Sequence, residues 1–311
     1  MEKVLVTGGA GFIGSHVVEA LLRQGYAVAV MDNFSTGHRE NIADLPVDLY
    51  ICDVADPAVI NVIQSIQPDY IIHLAAQISV SHSVADPLFD ERTNVTGSLN
   101  VMNGARQTNV KKIVFASSAA VYGNPLEIPV TMEHPTNPES PYGLTKLTVE
   151  HYLRMFDKFY QLPYSILRFS NVYGPRQDAE GEGGVVSIFS DRIQKGTPPM
   201  IYGDGDQTRD FIFVKDVASA VVAALSVKES ICVNVSTQTA ISIKDLFLLM
   251  KQVSGSDLDV YYGPKRSGDI RHSVLSNQLT KELLQWRPQV SLKDGLRVTL
   301  RSLKKRKREA V

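Results

Sequence analysis

Short apolar runs alternate along the first half of the chain with longer stretches whose apolar positions recur every three to four residues. The runs have the length of buried strands, and the longer stretches have the period of amphipathic helices. Helices are predicted over Asp90–Gln107 and over Pro141–Tyr160, which ends before Pro163. The alternation predicts an α/β fold built on a Rossmann-type, doubly wound parallel sheet. Strands are predicted at Lys3–Thr7, Ala27–Met31, Leu49–Cys52, Tyr70–His73, Lys112–Ala116 and Ser165–Phe169.

Beyond Phe169 the pattern changes, because Gly and Pro interrupt the chain between shorter elements. This predicts a smaller α/β lobe that binds the substrate. The apolar helix Val214–Leu225 and the strand Ile231–Val235 are suited to return to the first sheet. We therefore predict an NAD-binding domain over residues 1–170 that also receives parts of 209–240, and an interleaved nucleotide-sugar-binding lobe over 171–311. The active site is expected in the cleft between them.

Composition and charge narrow the class of protein. With 44% hydrophobic residues among 311, the chain can bury a sizeable core. The net charge of −1 argues against a generally basic nucleic-acid binder, and no apolar run approaches a membrane span. Met1-Glu2-Lys3 leads straight into the first predicted strand without a secretory signal, and Cys52 and Cys232 lie in apolar runs. We expect a cytoplasmic protein with two buried free thiols, no nucleic-acid or membrane partner, no metal, and a solvated basic tail at Lys304–Arg308.

A glycine-rich turn stands between the first predicted strand and a helix that begins near Phe12. Its pattern is G-x-x-G-x-x-G: Gly8 allows the tight turn, Gly11 lets the backbone approach a pyrophosphate, and Gly14 lets the helix pack on the strand. The helix N-terminus favours the phosphates. Asp32 follows about twenty residues later at the end of the next strand, where a carboxylate accepts hydrogen bonds from an adenosine ribose and repels a 2′-phosphate. NAD is therefore predicted rather than NADP.

Tyr142 and Lys146 stand at i and i+4 of the second predicted helix, so both side chains lie on one face. A tyrosine titrates near 10, but a neighbouring ammonium and a positively charged nicotinamide are expected to lower the pKa of the phenol. Tyr142 could then remove a proton from a sugar hydroxyl. Ser118 leaves the sheet edge where ligands bind in open α/β folds and can hydrogen-bond the reacting oxygen. For Ser117 a purely local structural role is an equal alternative.

These motifs together resemble those of the extended short-chain dehydrogenase/reductase family and, within it, of the bacterial-type UDP-glucose 4-epimerases. The resemblance spans nearly the whole chain. The matching stretches are Thr7–His16, Asp32-Asn33, Cys52-Asp53-Val54, His73–Gln77, Thr93–Gly97, Ser117–Gly123, Tyr142–Lys146, Arg168–Arg176, Gly203–Asp210 and Gly268–Arg271.

The resemblance implies a role for each of these residues. Tyr142 is implied as the catalytic base, Lys146 as the residue that holds the nicotinamide ribose and tunes Tyr142, and Ser118 as the one that orients the sugar 4-hydroxyl. Gln77 is a departure, because many epimerases of this type have a lysine there. The implied NAD site comprises Gly8, Gly11, Phe12, Ile13, Gly14, Asp32, Asn33, Asp53, Val54, Leu74, Ala75, Ala76, Gln77, Asn94, Ser117, Tyr142, Lys146 and Phe169. The implied UDP-sugar site comprises Ser118, Tyr142, Asn171, Val185, Tyr202, Arg209, Arg266, Asp269 and Ser273.

The chemistry of the arginines supports the second set, because guanidinium groups bind phosphate in a bidentate way. Asp210 is an alternative partner for Arg209 as a structural ion pair. The apolar stripes of the helices near Asn94–Gln107 and Thr145–Tyr160 resemble a four-helix interface of the family, which implies a homodimer. Packing of the same stripes against the sheet is the alternative.

The turn after Ser118 separates the reactions of the family. Its dehydratases resemble Thr-Asp-Glu-Val-Tyr-Gly there and its decarboxylases Ser-Glu-Val-Tyr-Gly, whereas this chain has Ala119 and Ala120. Neither alanine can act as a general acid or base, so C4 epimerisation of UDP-galactose and UDP-glucose is favoured. Ser273 aligns with the family position that limits room at the sugar C2, and its small side chain predicts that UDP-GlcNAc and UDP-GalNAc are accepted too. A 4,6-dehydratase, a decarboxylase, a 4-keto reductase and a non-catalytic NAD-binding sensor stay open as alternatives.

Overall fold

The computed structural model describes residues 1–179, 184–265 and 270–309, the last six as backbone alone. Every strand predicted from the sequence is present, to within two residues at either end. The strands are β1 (Lys3–Thr7), β2 (Ala27–Asp32), β3 (Asp48–Ile51), β4 (Tyr70–His73), β5 (Lys112–Ser118), β6 (Tyr164–Phe169), β7 (Asn171–Tyr173), β8 (Met200–Tyr202), β9 (Thr208–Phe213), β10 (Ile231–Val235), β11 (Ala240–Ser242), β12 (Tyr261–Gly263) and β13 (His272–Ser273).

The helices follow the strands in the order expected of an α/β chain. They are α1 (Phe12–Arg23), α2 (Val59–Ile66), α3 (Val80–Ala85), α4 (Pro87–Glu91), α5 (Gly97–Arg106), α6 (Pro141–Tyr160), α7 (Val185–Lys195), α8 (Val214–Ala223), α9 (Ile243–Ser254), α10 (Gln278–Leu284) and α11 (Leu292–Glu309). Among the described residues, none of these helices combines the length and apolar character that a membrane crossing requires.

Seven parallel strands form the central sheet in the order β10-β6-β5-β4-β1-β2-β3. The alternation of side chains explains why both faces are buried. Val4 and Val6 of β1 pack with α1 and α8 on one face, whereas Leu5 packs with α2, α5 and α6 on the other. A parallel sheet covered on both faces needs near-continuous apolar strands, which is the pattern seen in the sequence. The predicted doubly wound Rossmann-type fold is confirmed.

The predicted helix over Asp90–Gln107 is interrupted in the structure. A π-helical turn at Arg92–Thr96 separates α4 from α5. The Asn94 side chain at its centre accepts a bond from the Gln77 backbone N–H (2.9 Å) and donates to the Gln77 carbonyl oxygen (3.0 Å). This pairing ties the widened turn to the loop after β4, a contact that local periodicity does not reveal.

The second lobe has its own sheets and core. β9 pairs with β7 and β13 in parallel and with β11 antiparallel, while β8 and β12 form a separate parallel pair. Phe189, Phe247 and Leu296 are buried in the core that α7, α9 and α11 build over these strands. β10 returns to the edge of the central sheet beside β6, and α8 packs on α1. The chain thus crosses between the two lobes more than once.

Residues 175–178 make three contacts with the first domain, and we call these three contacts the inter-lobe clasp. Burial lowers the pKa of His16 to about 4, so its imidazole is neutral. Its Nε2 donates to the Pro175 carbonyl oxygen (3.0 Å). Arg176 pairs with Glu19 of α1, and His38 lies 3.0 Å from the Asp178 carboxylate. The clasp holds residues 175–178 against α1 and the loop after β2.

Candidate active site

A groove runs along the carboxyl ends of β1, β2, β4 and β5. Every predicted cofactor residue lines it except Gln77 and Asn94. Eight lining residues had not been predicted: Met31, Ser35, Thr36, Gly37, Cys52, Ile78, Thr93 and Ala116. Cys52 is partly exposed there, and Cys232 is also partly exposed, so the expectation of buried thiols is wrong, although both cysteines are free.

Gly8 and Gly14 occupy positions that no larger residue can take. Gly8 has φ +69°, and a Cβ there would lie 2.8 Å from the Ala75 backbone nitrogen. A Cβ on Gly14 would lie 2.0 Å from the Gly8 carbonyl oxygen, because the helix packs directly on the turn. Gly11 is the N-cap of α1 and has a looser environment, its nearest neighbour being the Gly8 oxygen at 3.2 Å. The backbone thus stays open at the helix N-terminus, where an anion is favoured.

The Asp32 carboxylate is hydrogen-bonded to the backbone of the glycine turn. Its Oδ2 accepts a bond from the Ala10 N–H and its Oδ1 one from the Phe34 N–H, both at 2.9 Å. A carboxylate oxygen has more than one acceptor site, so Asp32 can organise the turn and still receive ribose hydroxyls from the groove. Beyond it, the Asn33 amide donates to the Asp53 carboxylate (3.0 Å), which places these two predicted cofactor residues side by side.

The predicted catalytic side chains meet at the other end of the groove. Ser140 caps α6 by accepting a bond from the Gly143 N–H (3.1 Å), and Pro141 begins the helix. Tyr142 is therefore in the first turn, and the Lys146 Nζ lies 5.9 Å from its ring centroid. Lys146 donates to the Ala116 carbonyl oxygen (3.0 Å), which anchors it at the end of β5.

Burial sets the charge states of this pair in the protein without cofactor. Desolvation raises the pKa of Tyr142 to about 12, although the Ser118 hydroxyl favours the phenolate, and it lowers the pKa of Lys146 to about 8. The expected lowering of the Tyr142 pKa is thus not found, because the cost of burying the phenolate charge dominates and the Asp90 carboxylate adds to it. A cation in the groove would lower the pKa of Tyr142, which is the expected direction.

Gln77 and Asn94 lie behind the groove rather than in it. Both are buried, and both donate to the Asp90 carboxylate, at 2.7 and 3.0 Å. Thr145 of α6 donates to the other Asp90 oxygen (2.8 Å). The hydrogen-bonding groups of these side chains are therefore satisfied within a buried network, which explains why the side chains do not face the groove.

Ser117 has a structural partner of its own. Its hydroxyl donates to Glu150 (2.7 Å), and the same carboxylate receives Arg168 through two bonds of 2.8 and 2.6 Å. Arg168 also lies over the Tyr122 ring, 4.7 Å from its centroid. These buried groups fix the end of β5, so Ser117 positions the strand from which Ser118 emerges.

The described residues of the predicted sugar site lie on the second lobe. Asn171 begins β7, and Arg209 stands in β9 opposite Ser273 of β13, so one small sheet carries all three. Tyr202 ends β8, and Val185 begins α7. Arg266 and Asp269 lie outside the described residues.

Asp210 is not the ion-pair partner that was considered for Arg209. Its carboxylate accepts bonds from the Thr237 hydroxyl (2.6 Å) and from the backbone N–H groups of Thr237 (3.0 Å) and Gln238 (2.9 Å). The Arg209 guanidinium donates to the Thr208 carbonyl oxygen (2.9 Å). The two neighbours point to opposite sides because they alternate along a strand.

The chain is similar to known proteins over most of its length. A family model described as the NAD dependent epimerase/dehydratase family matches residues 4–235. The chain belongs to this family. A UDP-glucose 4-epimerase from Mycolicibacterium smegmatis is 40% identical to this chain, and the match covers 96% of this chain and 97% of that protein.

Solved structures are similar to the chain over nearly its whole length. A UDP-glucose 4-epimerase from Thermotoga maritima, determined with UDP-glucose, is 40% identical with a TM-score of 0.95, and the match covers 98% of this chain and 99% of that one. A UDP-N-acetylglucosamine 4-epimerase from Methanobrevibacter ruminantium, in complex with UDP-N-acetylmuramic acid, is 36% identical with a TM-score of 0.94 over the same shares.

A row of hydrogen-bonded polar side chains lies behind the groove and was not predicted from the sequence. Thr7 Oγ1 lies 2.7 Å from His73 Nδ1, and His73 Nε2 lies 2.8 Å from Ser98 Oγ. Thr7 also accepts bonds from the Leu74 and Ala75 N–H groups, both at 3.2 Å, so its hydroxyl donates to His73. Burial lowers the pKa of His73 to about 3, which keeps it neutral. The only sequence signal was a histidine at the end of an apolar strand.

Proposed function

We propose that this protein interconverts UDP-glucose and UDP-galactose by inverting C4 of the hexose, with NAD as its cofactor. The observation that carries the proposal is the meeting of Tyr142 and Lys146 at one end of the groove, with Ser118 hydrogen-bonded to Tyr142, and of a glycine turn and Asp32 at the other end. The groove fits a dinucleotide, because Gly8 keeps the turn close against the Ala75 backbone and the α1 N-terminus opens onto the groove. Membership of an NAD-dependent family and the full-length likeness to UDP-glucose 4-epimerases support the same reaction.

The residues divide the chemistry among them. The reaction that NAD supplies when bound is reversible hydride transfer at C4 of the sugar. Tyr142 takes the proton of the 4-hydroxyl onto its phenolate oxygen and returns it to the same sugar oxygen at the end of the turnover. Ser118 holds that sugar oxygen beside Tyr142, and Lys146 holds the nicotinamide ribose. Proton and electrons are returned within one turnover, so no reductant is consumed.

The turn after Ser118 argues against elimination and decarboxylation. Ala119 and Ala120 begin a 3-10 turn that runs to Tyr122, and neither carries a group that can move a proton. A 4-keto reductase remains distinct, because it would consume NADH in stoichiometric amounts. A non-catalytic NAD sensor would have no use for the Ser118, Tyr142 and Lys146 arrangement.

In this proposal the second lobe binds the UDP part of the UDP-sugar. Asn171 and Arg209 lie on neighbouring strands of one sheet, and Arg209 is suited to a diphosphate. We assign uracil and phosphate contacts to Asn171, Val185, Tyr202, Arg209, Arg266 and Asp269. Residues 1–170 with parts of 209–240 then bind NAD, and the remaining residues of 171–311 bind the UDP-sugar.

Acceptance of N-acetylated sugars is proposed from Ser273. Its side chain is small and partly exposed on β13, opposite Arg209. A UDP-N-acetylglucosamine 4-epimerase is among the similar structures. The substitution Ser273→Tyr should remove activity on UDP-GlcNAc and retain activity on UDP-glucose; equal loss of both would contradict the assignment.

We propose a homodimer formed through α5 and α6. Leu144, Met155 and Phe159 on one face of α6 are each more than half exposed, and Tyr160 beside them lies under the Arg106 guanidinium, 4.8 Å from its ring centroid. Exposed apolar side chains along one helix fit a two-fold helical interface. Sedimentation analysis should give a dimer that Met155→Glu dissociates. We also propose a cytoplasmic location, which the free cysteines Cys52 and Cys232 support.

Proton NMR of the purified protein with UDP-galactose tests the central proposal. The anomeric signal of UDP-glucose should appear without added NADH and approach the same ratio from either substrate. The Tyr142→Phe variant is the matched control and should leave the spectrum unchanged. If no UDP-glucose forms even with added NAD, the proposal is wrong, and stoichiometric NADH consumption would identify a reductase.

A further inference from the structure

Asp90 on α4 is a fully buried carboxylate held by neutral groups. It accepts bonds from the Gln77 amide, the Asn94 amide and the Thr145 hydroxyl, at 2.7, 3.0 and 2.8 Å. Among the described residues no cation bonds to it. Buried charges are usually paired, because an unpaired one is costly to desolvate. The negative charge of Asp90 is thus stabilised by hydrogen bonds but not cancelled.

Of the ionisable groups around Asp90, one pair of side chains is left to respond to its negative charge. Other ionisable groups on the elements packed around Asp90 include His73, His82, Glu91, Arg92 and Glu150. The exposed Asp86 caps α4, and His151, Arg154, Asp157 and Lys158 lie in the second half of α6. His82, Glu91 and Arg92 are exposed to solvent, which screens them. Burial keeps His73 neutral, and Arg168 neutralises Glu150. Lys146 and Tyr142 remain: Lys146 is buried next to Thr145, which is bonded to Asp90, and Tyr142 is partly buried one helical turn before it.

We propose that Asp90 is a positioning residue that serves as the buried counter-charge of Lys146 and, through Thr145, holds the first turn of α6 in register with the groove. The proposal rests on the proposed roles of Tyr142 and Lys146. A salt bridge would fix the ammonium on the carboxylate and away from the ribose. Counter-charge at a distance leaves the Lys146 donors available, one for the Ala116 carbonyl oxygen and the others for the cofactor.

The charge states of the pair agree with this role. Burial lowers the pKa of Lys146 to about 8, and Asp90 opposes that fall. The same carboxylate raises the pKa of Tyr142 in addition to burial. Without Asp90 the pKa of Lys146 would fall further, and more of Lys146 would be neutral at physiological pH.

The substitution Asp90→Asn removes the charge and keeps the network. The new carbonyl oxygen accepts from Gln77 and Asn94, and the new amide donates to the Thr145 Oγ1, whose own proton turns to the Tyr142 carbonyl oxygen, 3.0 Å away. The ¹³Cε signals of isotopically labelled lysine, recorded against pH without cofactor or substrate, report the Lys146 titration directly. Absence from the spectrum of Lys146→Met assigns the signal.

The Lys146 titration should move about one to two pH units lower in Asp90→Asn. Thr145→Val is the matched control: it removes one bond to the same carboxylate but no charge, and it should leave the titration within about half a unit. The alkaline limb of kcat against pH should move with the NMR titration. An unchanged Lys146 titration in a folded Asp90→Asn protein would overturn the proposal.

A second variant decides the matter if Asp90→Asn does not fold. Gln77→Lys brings an ammonium to the Asp90 carboxylate and cancels its field, so the Lys146 titration should again fall, and an unchanged titration would overturn the proposal. The NMR titration needs no turnover. Failure to convert UDP-galactose would therefore refute the proposed reaction without moving this measurement, and the two failures are distinguishable.

Discussion

Replacing Glu150 by glutamine should lower the free energy of unfolding by about 3 kcal/mol. The Glu150 side chain is fully buried, and it holds Arg168, whose side chain is 4% exposed. Removing one partner of a buried ion pair costs about 3–5 kcal/mol, because the other charge stays buried and unpaired. The glutamine carbonyl can keep one bond to the guanidinium, which puts the expected cost at the lower end of that range.

Urea unfolding measures this cost, followed by the fluorescence of Trp286, the single tryptophan, and by far-ultraviolet circular dichroism. The two probes should report one transition for the free energies to be comparable. Arg154→Gln is the matched control: Arg154 bonds the same carboxylate at 3.2 Å but is 37% exposed, so its loss should cost less than about 1 kcal/mol. A similarly small cost for Glu150→Gln would refute the account of an uncompensated buried guanidinium.

Three further outcomes follow from the geometry. Gly8→Ala should abolish NAD binding in calorimetry, since its Cβ meets the Ala75 backbone, whereas Gly25→Ala, at φ +83° with nothing within 4 Å, should lose only about 1 kcal/mol of stability and bind NAD normally. Tyr142→Phe should lower kcat by about 10²–10⁴-fold with little change in KM for the UDP-sugar, and near-normal turnover would exclude Tyr142 as the base. His16 and His73 are neutral when folded, with pKa values lowered to about 4 and about 3, so the unfolded chain takes up protons first as the pH falls below 6.5. Stability should therefore decline from pH 6.5 towards 4, by up to about 1.4 kcal/mol per pH unit for each histidine, and His16→Gln should reduce the slope in urea titrations.

The sequence is sufficient to predict the central sheet, because each strand buries both faces and so carries its own apolar run. It also predicts the glycine turn, since Gly8 and Gly14 are required by local backbone geometry. The break between α4 and α5 could not be predicted. It depends on Asn94 pairing with Gln77, seventeen residues earlier, and helical periodicity is silent on such a pairing.

Gln77 and Asn94 show a second limit of the sequence. Their neighbours Leu74, Ala75 and Ala76 line the groove, but these two polar side chains turn away from it to Asp90. Which way a polar residue faces depends on partners contributed by other elements. The direction of the Tyr142 pKa has the same origin, because it is decided by burial, and burial is a property of the folded chain.

The return of β10 to the central sheet constrains how this protein can be recombined with its relatives. A chimaera joined near residue 170 without Ile231–Val235 would leave β6 as an open edge whose Ile166, Leu167 and Phe169 lie among the most buried side chains. Open apolar edges pair with other chains and aggregate. Crossover points that exchange sugar preference therefore belong in two places, with β10 and α8 inherited from the parent that supplies the first sheet.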